Sequence, residues 1–505
     1  MRRGMQITLF LIMLLTLGYY INDTFGRTIA TTLSILTTLA VLTLAIIIFM
    51  ENRHPSSTMA WLLILALIPV LGFVFYLLFG QNYRKRRKYS KKAKRDKEEY
   101  TFLKAQWIES QYTAREFTTE QRKLLLLMNR ISSSTVSFST ETKVLTNGEE
   151  TFSALLHELR MAQHHIHMEY YIYRDDDIGR EIQQILIEKA KAGVHVRFMY
   201  DAVGSVYLKK SFVREMCEAG VQVAAFGPVR FHLVSNKVNY RNHRKIVVID
   251  SSVGFMGGLN VGDEYLSRNK TYGFWRDTHM IIRGEAVQTL QAIFLKDWRH
   301  MTKEKVVDPK YFVSCNTLNP EAEHGAVQII ASGPDQEFQT MKNLFFSMVT
   351  SAQKSIWIAT PYFVPDEDLL TALKVAALSG LDIRLLFPAK PDRWLPFLAS
   401  HSYFPGLIES GVKIYEYEKG FLHSKLVIVD GEIATIGTTN MDMRSFYLNF
   451  EVNALLVRTD SIERLVTDFE RDLQSAARIN EEQFKKRKKR TRFLESLARL
   501  FSPLL

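Results

Sequence analysis

One short pattern occurs twice in this chain and constrains its fold more than any other feature. The first copy is NHRKIVVIDSSVGFMGGLN, Asn242–Asn260, and the second is LHSKLVIVDGEIATIGTTN, Leu422–Asn440. In each copy a histidine is followed by a lysine two positions later, an aspartate seven positions later and an asparagine seventeen positions later. A match at so many positions indicates that two parts of the chain fold alike and carry equivalent functional groups.

The residues between the lysine and the aspartate predict a buried strand in both copies. Residues 246–249 and 426–429 are unbroken apolar runs, mostly β-branched, as is typical of buried strands. Side chains two positions apart on a strand point the same way, so the histidine and lysine of each copy face one space. Asp250 and Asp430 follow their lysines at an odd interval, so we expect them to anchor nearby backbone at the strand end.

Two imidazoles and two ammonium groups suit phosphoryl transfer. An imidazole nitrogen can attack phosphorus and form a covalent intermediate. The other imidazole can protonate the leaving oxygen and then take a proton from the acceptor. Lysine and asparagine side chains can bind the phosphate oxygens. The motifs therefore predict one site that needs no metal and no cofactor, built from His243, Lys245, Asn260, His423, Lys425 and Asn440.

Each motif is followed by an acidic residue that could orient an imidazole. Asp277 follows YGFWR and Glu451 follows YLNF, both aromatic-rich segments. A carboxylate bound to the far nitrogen of a histidine would fix its tautomer. The alternative is a surface carboxylate paired with Arg276 or Arg444, and the spacing leaves both interpretations open.

A wider repeat surrounds the two motifs. KAGVHVRFMYD, Lys191–Asp201, matches LSGLDIRLLFP, Leu378–Pro388, and strands alternate with helices in both halves. This order favours α/β layering in two similar lobes, which we place at residues 136–315 and 316–480.

The N-terminal residues 1–80 predict a membrane segment. Residues 29–50 and 58–79 carry no ionisable side chain and reach the roughly 20 residues that a spanning helix needs, so we expect a transmembrane hairpin. Residues 5–21 form a further apolar stretch that either spans the membrane or lies at its surface.

Positive charge is concentrated at the two ends of the chain. Residues 1–100 carry +9 and residues 478–505 carry +6 of the net +12, so the part between them carries −3. This distribution disfavours a nucleic-acid-binding groove and favours a negatively charged membrane surface.

Two basic segments account for much of that charge. The linker 81–135 contains ten basic residues within Arg84–Lys97 and predicts a cytoplasmic catalytic part on a multi-pass cell-membrane protein. We also expect this segment to attract anionic lipid; the alternative is a solvated run of charges that only determines on which side of the membrane the following residues lie. The C-terminal residues 481–505 combine basic residues with an apolar stripe, which predicts an interfacial helix or, alternatively, a helix packed on the second lobe.

At these residues the chain resembles the phospholipase D superfamily, which is defined by paired His-x-Lys-x4-Asp motifs, and within it the bacterial cardiolipin synthases. The segments that carry the resemblance are NYRNHRKIVVID, GFMGGLNVGDEY, FWRDTHMII, ATPYFVPDEDLL, FLHSKLVIVD and GTTNMDMRSFYLNFEV. The resemblance extends from about residue 29 onward, and the additional N-terminal stretch is its main departure.

The resemblance implies two α/β/α lobes that share one active site. It also implies transfer of a phosphatidyl group between two phosphatidylglycerol molecules through a phosphohistidine. His243 would be the nucleophile and His423 the general acid and base, with Asp277 and Glu451 as orienting residues. Hydrolysis of phospholipids is the main alternative, and a nuclease or a non-catalytic scaffold is disfavoured. The oligomeric state stays open.

Overall fold

The computed structural model describes residues 26, 31–32, 34–50, 55–76, 92, 117–132, 134–228, 240–304, 309–312 and 325–502. They divide into two compact units, one within residues 1–83 and one that begins at Arg84, here called the body. We describe each unit by itself. The predicted membrane stretch 5–21 and most of the linker 81–135 lie outside the described residues.

The N-terminal unit is helical. Residues 34–50 form one helix, followed by α1, Pro55–Leu67, and α2, Pro69–Phe75. Leu44 and Ile48 are buried together with Leu65 and Tyr76, so the helix 34–50 packs against its successors. Within the residues described, no helix has both the length and the apolar character that crossing a membrane requires.

Where the sequence predicts one helix across residues 58–79, the structure has a break. Ile68 leaves the helical region with φ −138° and ψ 73°, and Pro69 opens the next helix. A residue that precedes proline is disfavoured in the α region because the proline ring clashes with its backbone. The apolar pattern alone could not reveal this break.

The body contains two α/β lobes. The first lobe and the segment before it comprise, in chain order, α3 Thr119–Ser132, β1 Val136–Ser137, β2 Thr140–Thr146, α4 Asn147–Met161, β3 His165–Tyr170, α5 Asp177–Lys191, β4 His195–Asp201, α6 Lys210–Glu218, β5 Gln222–Phe226, β6 Ile246–Ile249, β7 Val253–Gly257, β8 Phe274–Arg276, β9 Thr278–Gly284 and α7 Ala286–Thr302. Short 3-10 helices span Asp263–Leu266 and Pro309–Phe312.

The second lobe repeats this arrangement. Its elements are β10 Ala326–Ser332, α8 Thr340–Ser351, β11 Ser355–Ala359, β12 Phe363–Val364, α9 Glu367–Leu378, β13 Asp382–Pro388, α10 Trp394–His401, α11 Phe404–Glu409, β14 Lys413–Tyr417, β15 Gly420–Leu422, β16 Leu426–Val429, β17 Ile433–Gly437, β18 Met441–Asp442, α12 Met443–Tyr447, β19 Glu451–Val457, α13 Ser461–Gln474, β20 Ala476–Arg478, α14 Glu481–Lys485 and α15 Lys489–Arg499.

The two main sheets share one strand order. The first is β2-β9-β7-β6-β3-β4-β5, and the second contains β10-β19-β17-β16-β11-β13-β14 with β1 and β20 added at its edges. In both, three strands run parallel, β3-β4-β5 and β11-β13-β14, and the motif strand, β6 or β16, pairs antiparallel with the first of the three. The prediction of two similar α/β lobes is confirmed.

One boundary differs from the sequence-based division. Val136 and Ser137 form β1, which pairs with β10 of the second lobe rather than with the first sheet. Leu124, Leu125 and Met128 of α3 are buried in the second-lobe core. Residues 119–137 therefore belong structurally to the second lobe, although they precede the first lobe in the chain.

The lobes pack face to face through an apolar layer. Ile246 and Val248 of β6 lie in the same buried cluster as Leu426 and Ile428 of β16. Burying these side chains removes a large apolar area from water, which is the main stabilising contribution to lobe association. Successive side chains of a strand point to opposite faces, so every second side chain of each motif strand lies in this layer.

Asp250 and Asp430 anchor equivalent turns at the ends of the motif strands. The carboxylate of Asp250 accepts hydrogen bonds from the backbone N–H groups of residues 163, 164 and 165, each at 2.8 Å. Asp430 accepts from residues 353, 354 and 355 at 2.7 to 2.8 Å. Both aspartates have positive φ, 52° and 54°, a region that aspartate and asparagine tolerate better than most residues.

We predict that Asp430→Ala lowers the free energy of unfolding by about 2–4 kcal/mol, because three backbone N–H groups lose a charged acceptor. Asp430→Asn keeps the tolerance of positive φ and one acceptor oxygen, so its loss should be clearly smaller. Urea unfolding of both variants in detergent gives the comparison. Equal unfolding midpoints for Asp430→Ala and the unchanged protein would contradict the anchoring role.

Candidate active site

The two motifs meet where each lobe hydrogen-bonds to the other. The N–H of His243 donates to the carbonyl of Phe450 at 2.9 Å, and the N–H of Phe450 donates to the carbonyl of Arg241 at 2.9 Å. In the other direction, β15 pairs in parallel with β8, and the N–H of His423 donates to the carbonyl of Arg276 at 2.7 Å. Each histidine is therefore adjacent to the segment that carries the other lobe's acidic residue.

His243 is held by the second lobe's carboxylate. Its Nδ1 lies 3.1 and 3.0 Å from the two oxygens of Glu451, which is fully buried. The hydroxyl of Thr438 and the amide of Asn449 also donate to this carboxylate. Because a carboxylate only accepts hydrogen bonds, Nδ1 carries the proton and Nε2 keeps its lone pair.

His423 is held in the same way by the first lobe. Its Nδ1 lies 2.6 Å from Oδ2 of Asp277, which is fully buried and accepts from the N–H of Thr278 at 2.9 Å. A Cβ at Gly258 would lie 2.0 Å from Oδ1 of Asp277, so only glycine leaves room for this carboxylate. Thr438 occupies the equivalent position in the second lobe.

The alternative of surface carboxylates paired with arginine does not match these contacts. The Nε of Arg276 donates to Asp472 at 2.7 Å, away from the neighbouring carboxylate of Asp277. The crossing of the two pairs between lobes could not be predicted from spacing along the chain. It is visible only once the lobes are packed.

Both lysines of the motifs are buried beside the histidines. The Nζ of Lys245 donates to the carbonyl of His243 at 2.6 Å, and Lys425 donates to the carbonyl of His423. Burial lowers the pKa of Lys245 to about 7 and that of Lys425 to about 8, partly offset by the site's carboxylates. A phosphate anion between them would favour their charged forms.

The imidazoles are neutral at pH 7. Burial lowers the pKa of His243 to about 4, although Glu451 opposes the shift. Burial, together with Lys425, lowers the pKa of His423 to about 3. A neutral Nε2 is the form that can act as a nucleophile or as a general base.

The remaining predicted residues lie around this centre in different roles. Asn260 is buried, and its side-chain oxygen accepts from the N–H of Ile172 at 3.0 Å, so it fixes the loop after β3. Asn440 is also buried, and its side chain hydrogen-bonds Asp442. Asp250 and Asp430, which complete the His-x-Lys-x4-Asp motifs of the catalytic residues, bind backbone at the opposite strand end, so their contacts support the anchoring role expected for them.

Sequence reasoning did not assign to the site two aromatic residues that contact the histidines. The ring of Tyr171 packs edge-on to His243 with centroids 5.0 Å apart, and Lys245 lies 5.4 Å from the same ring. The ring of Trp275 lies 5.1 Å from that of His423. The available signal was that Tyr171 directly follows β3 and that Trp275 lies two positions before Asp277.

A buried ionic network holds the backbone of Glu451 in place. The Nε of Arg244 donates to the Glu451 carbonyl at 3.1 Å, and its guanidinium also binds Asp297. Lys92 from the basic linker is 4% exposed and lies 2.6 Å from Asp335 and 3.6 Å from Asp297. One described residue of the linker is therefore part of the body's interior.

We predict that Glu451→Gln and Asp277→Asn each reduce turnover by about 10²–10⁴-fold with the fold retained, because an amide can hold the imidazole in the wrong tautomer. Initial rates with purified protein test this. Glu463→Gln, the same chemical change at an exposed position of α13, serves as the matched control. Wild-type rates in both site variants would exclude the carboxylates from orienting the histidines.

We also predict that stability falls with acid. Burial lowers the pKa of His165 and His243 to about 4, and that of His279 and His423 to about 3. Unfolded imidazoles titrate at about 6.5, so below that pH the unfolded chain takes up protons that the folded chain does not. The melting temperature should therefore drop steadily from pH 6.5 toward pH 4.

Melting curves across this range measure the slope of the melting temperature against pH. His279→Gln should make it shallower, whereas His195→Gln, at an exposed position, should leave it unchanged. A melting temperature that is constant between pH 6.5 and pH 4.5 would contradict the expectation.

The chain matches known families over most of its length. The family model described as "Cardiolipin synthase, PLD-like domain" matches residues 155–298 and 345–473, which contain both motifs. A second model, described as "Phospholipase_D-nuclease N-terminal", matches residues 38–81.

Curated relatives and a solved structure agree with this assignment. The chain is 55% identical to a cardiolipin synthase of Geobacillus sp. (strain WCH70) and 53% identical to that of Halalkalibacterium halodurans, each over 100% of both chains. The crystal structure of phosphatidylserine synthase from Haemophilus influenzae Rd KW20 has a TM-score of 0.57 at 12% identity. That match covers 76% of this chain and 99% of the other, and it supports the fold alone. With both motifs matched and identity above one half over full length, the chain belongs to the cardiolipin synthases, phosphatidyltransferases of the phospholipase D superfamily.

Proposed function

We propose that this protein transfers a phosphatidyl group from one phosphatidylglycerol to another, with cardiolipin and glycerol as products. The observation that carries the proposal is the pair of buried imidazoles, each bound at Nδ1 by the other lobe's carboxylate and each next to a buried lysine. The relatives' shared name supports a phospholipid as the substrate.

In the first half-reaction, Nε2 of His243 attacks phosphorus of the donor lipid. The bond from phosphorus to the oxygen of the headgroup glycerol breaks, and His423, protonated on Nε2, gives its proton to that oxygen. The resting pKa of His423 is low because of burial and Lys425. The negative charge of a bound phosphodiester favours the protonated form, and Asp277 stabilises the imidazolium.

In the second half-reaction, the primary hydroxyl of the acceptor's glycerol attacks the phosphohistidine. His423 takes the hydroxyl proton, the bond from phosphorus to nitrogen breaks, and His243 returns to its neutral state. Lys245 and Lys425 stabilise the negative charge on the phosphate oxygens in both steps. Asn260 and Asn440 are proposed to bind the same oxygens, and no step requires a metal or a cofactor.

The order of the two histidines follows the resemblance and is open to test, since the geometry around them is nearly symmetric. If water replaces the acceptor hydroxyl, the same site hydrolyses phospholipids to phosphatidic acid. Access of the acceptor, not the motif residues, separates these two reactions.

We also propose that residues 29–50 and 58–79 form a hairpin in the cell membrane, with the body on the cytoplasmic side. The packing of helix 34–50 against α1 supports a hairpin, as does the N-terminal family match across residues 38–81. The basic run Arg84–Lys97 supports the orientation, because positive residues favour the cytoplasmic side.

We predict that purified protein converts phosphatidylglycerol vesicles into cardiolipin and glycerol, both identified by mass spectrometry. His243→Ala and His423→Ala should each reduce the rate by at least about 10³-fold. Rapid quenching should trap a phosphatidyl group on His243, and trapping on His423 would reverse the assigned roles. Phosphatidic acid without cardiolipin would replace transfer by hydrolysis, and no lipid turnover would overturn the proposal.

A further inference from the structure

The two lobes expose large apolar side chains at the same place in the repeated fold. β4 and β13 are equivalent strands, and the loop after each one runs along the edge of its sheet where the parallel strands end. After β4, Val206 is 57% exposed and Tyr207 is 74% exposed. After β13, Trp394 is 71% exposed and Leu395 is 41% exposed. We call these two segments the rim loops, residues 202–208 and 389–395.

The first rim loop is attached to the catalytic centre. The hydroxyl of Ser205 donates to the carbonyl of Tyr171 at 3.0 Å, and a Cβ at Gly204 would collide with the same residue. The ring of Tyr171 in turn contacts His243. Val206 and Tyr207 therefore directly follow a residue that is bonded to Tyr171, the side chain that contacts His243.

The second rim loop approaches the same space from the other lobe. Its Asp392 accepts a hydrogen bond from the hydroxyl of Tyr362, and its Arg393 acts electrostatically on Tyr171. Both loops lie near Tyr272, because Arg393 and Arg174 each act electrostatically on its hydroxyl and Arg174 stacks on the ring of Tyr207, 5.3 Å from its centroid. The two exposed apolar groups thus belong to segments that both approach Tyr171, whose ring contacts His243.

The charge around these residues identifies the surface that they fit. The neighbouring side chains of Lys209, Lys210, Lys390 and Arg393 are exposed. Tyrosine and tryptophan favour the boundary between lipid headgroups and acyl chains, and lysine and arginine are attracted to anionic headgroups. Clustered exposed apolar side chains with a polar border are typical of sites that bind a membrane or another protein.

The C-terminal helix extends this surface. Helix α15 packs against α10, which begins at Trp394, and the hydroxyl of Tyr403 donates to Ser502 at 2.9 Å. It turns Glu495 and Ala498 inward and leaves apolar residues outside, with Phe493 68% and Leu500 73% exposed. An outward apolar face next to a run of basic residues matches an interfacial helix.

We propose that the rim loops and α15 form a docking surface that seats the body on an anionic lipid bilayer with the active-site entrance toward the lipid. This inference rests on the proposed function, because the bilayer is where phosphatidylglycerol is found. Docking lets a headgroup reach the histidines while its acyl chains stay in the membrane. Tyr207 and Trp394 enter the interface, and the basic residues bind its headgroups.

Site-specific fluorescence tests the proposal on the full-length chain. Cys217→Ser and Cys315→Ser remove the two native thiols, and Tyr207→Cys, Trp394→Cys or Met161→Cys then accepts an environment-sensitive fluorophore. The proteins are reconstituted in phosphatidylglycerol–phosphatidylcholine vesicles with brominated acyl chains. Met161 is the matched control, because it is 59% exposed and apolar but lies just before β3, at the opposite edge of the sheet.

We expect bromine quenching and a blue shift at positions 207 and 394, and neither at 161. The double variant Tyr207→Ser, Trp394→Ser should lower the ratio of turnover in vesicles to turnover in detergent micelles about tenfold, equivalent to about 1.4 kcal/mol, and Met161→Ser should not change it. Probes at 207 and 394 that behave like the probe at 161, in protein that still makes cardiolipin, would overturn the docking surface. That result would instead favour a soluble protein partner as the occupant of these side chains. Quenching without any cardiolipin would instead reject the proposed function and leave the surface in place.

Discussion

The hydrogen bond between an imidazole of one lobe and a carboxylate of the other is the interaction on which this structure depends. His243 needs Glu451 and His423 needs Asp277, so neither lobe contains a complete pair. Both pairs form only if the two sheets pack in one register. A shift of β19 by one residue would turn Glu451 to the other face of its sheet and leave His243 without its partner.

The repeat helps to set this register, because two sheets of the same design pack against each other. The two sheets share their strand order, and the motif strands β6 and β16 meet in one apolar layer. Equivalent aspartates fix equivalent turns at their ends. The lobes nevertheless differ where the carboxylates lie: Gly258 makes room for Asp277, whereas Thr438 donates a hydrogen bond to Glu451. A duplicated fold has thus acquired two environments for the same pair of groups.

Much of this arrangement could be predicted from local sequence patterns. The apolar run between Lys245 and Asp250 gave the motif strand, and the duplication gave two lobes of one fold. The pairing across lobes could not be predicted, because it depends on packing between residues that are about 150 to 210 positions apart. Nor could the assignment of residues 119–137 to the second lobe, since a short strand such as β1 is decided by its partner and not by its own sequence. The break at Ile68 reflects a local clash with proline that an apolar pattern does not report.

The buried position of Lys92 limits where this protein can be shortened to remove its N-terminal apolar region. Its ammonium lies within the body beside Asp335 and Asp297, and it lowers the pKa of Asp335 against the effect of burial. A chain that starts after this lysine would leave Asp335 and Asp297 with Arg244 in place of two nearby cations, and the loss of one counter-charge destabilises the buried network. A shortened chain that starts between Lys92 and the end of the linker at residue 135 would thus have a weaker interior, whereas a start upstream of Arg84 would keep this contact.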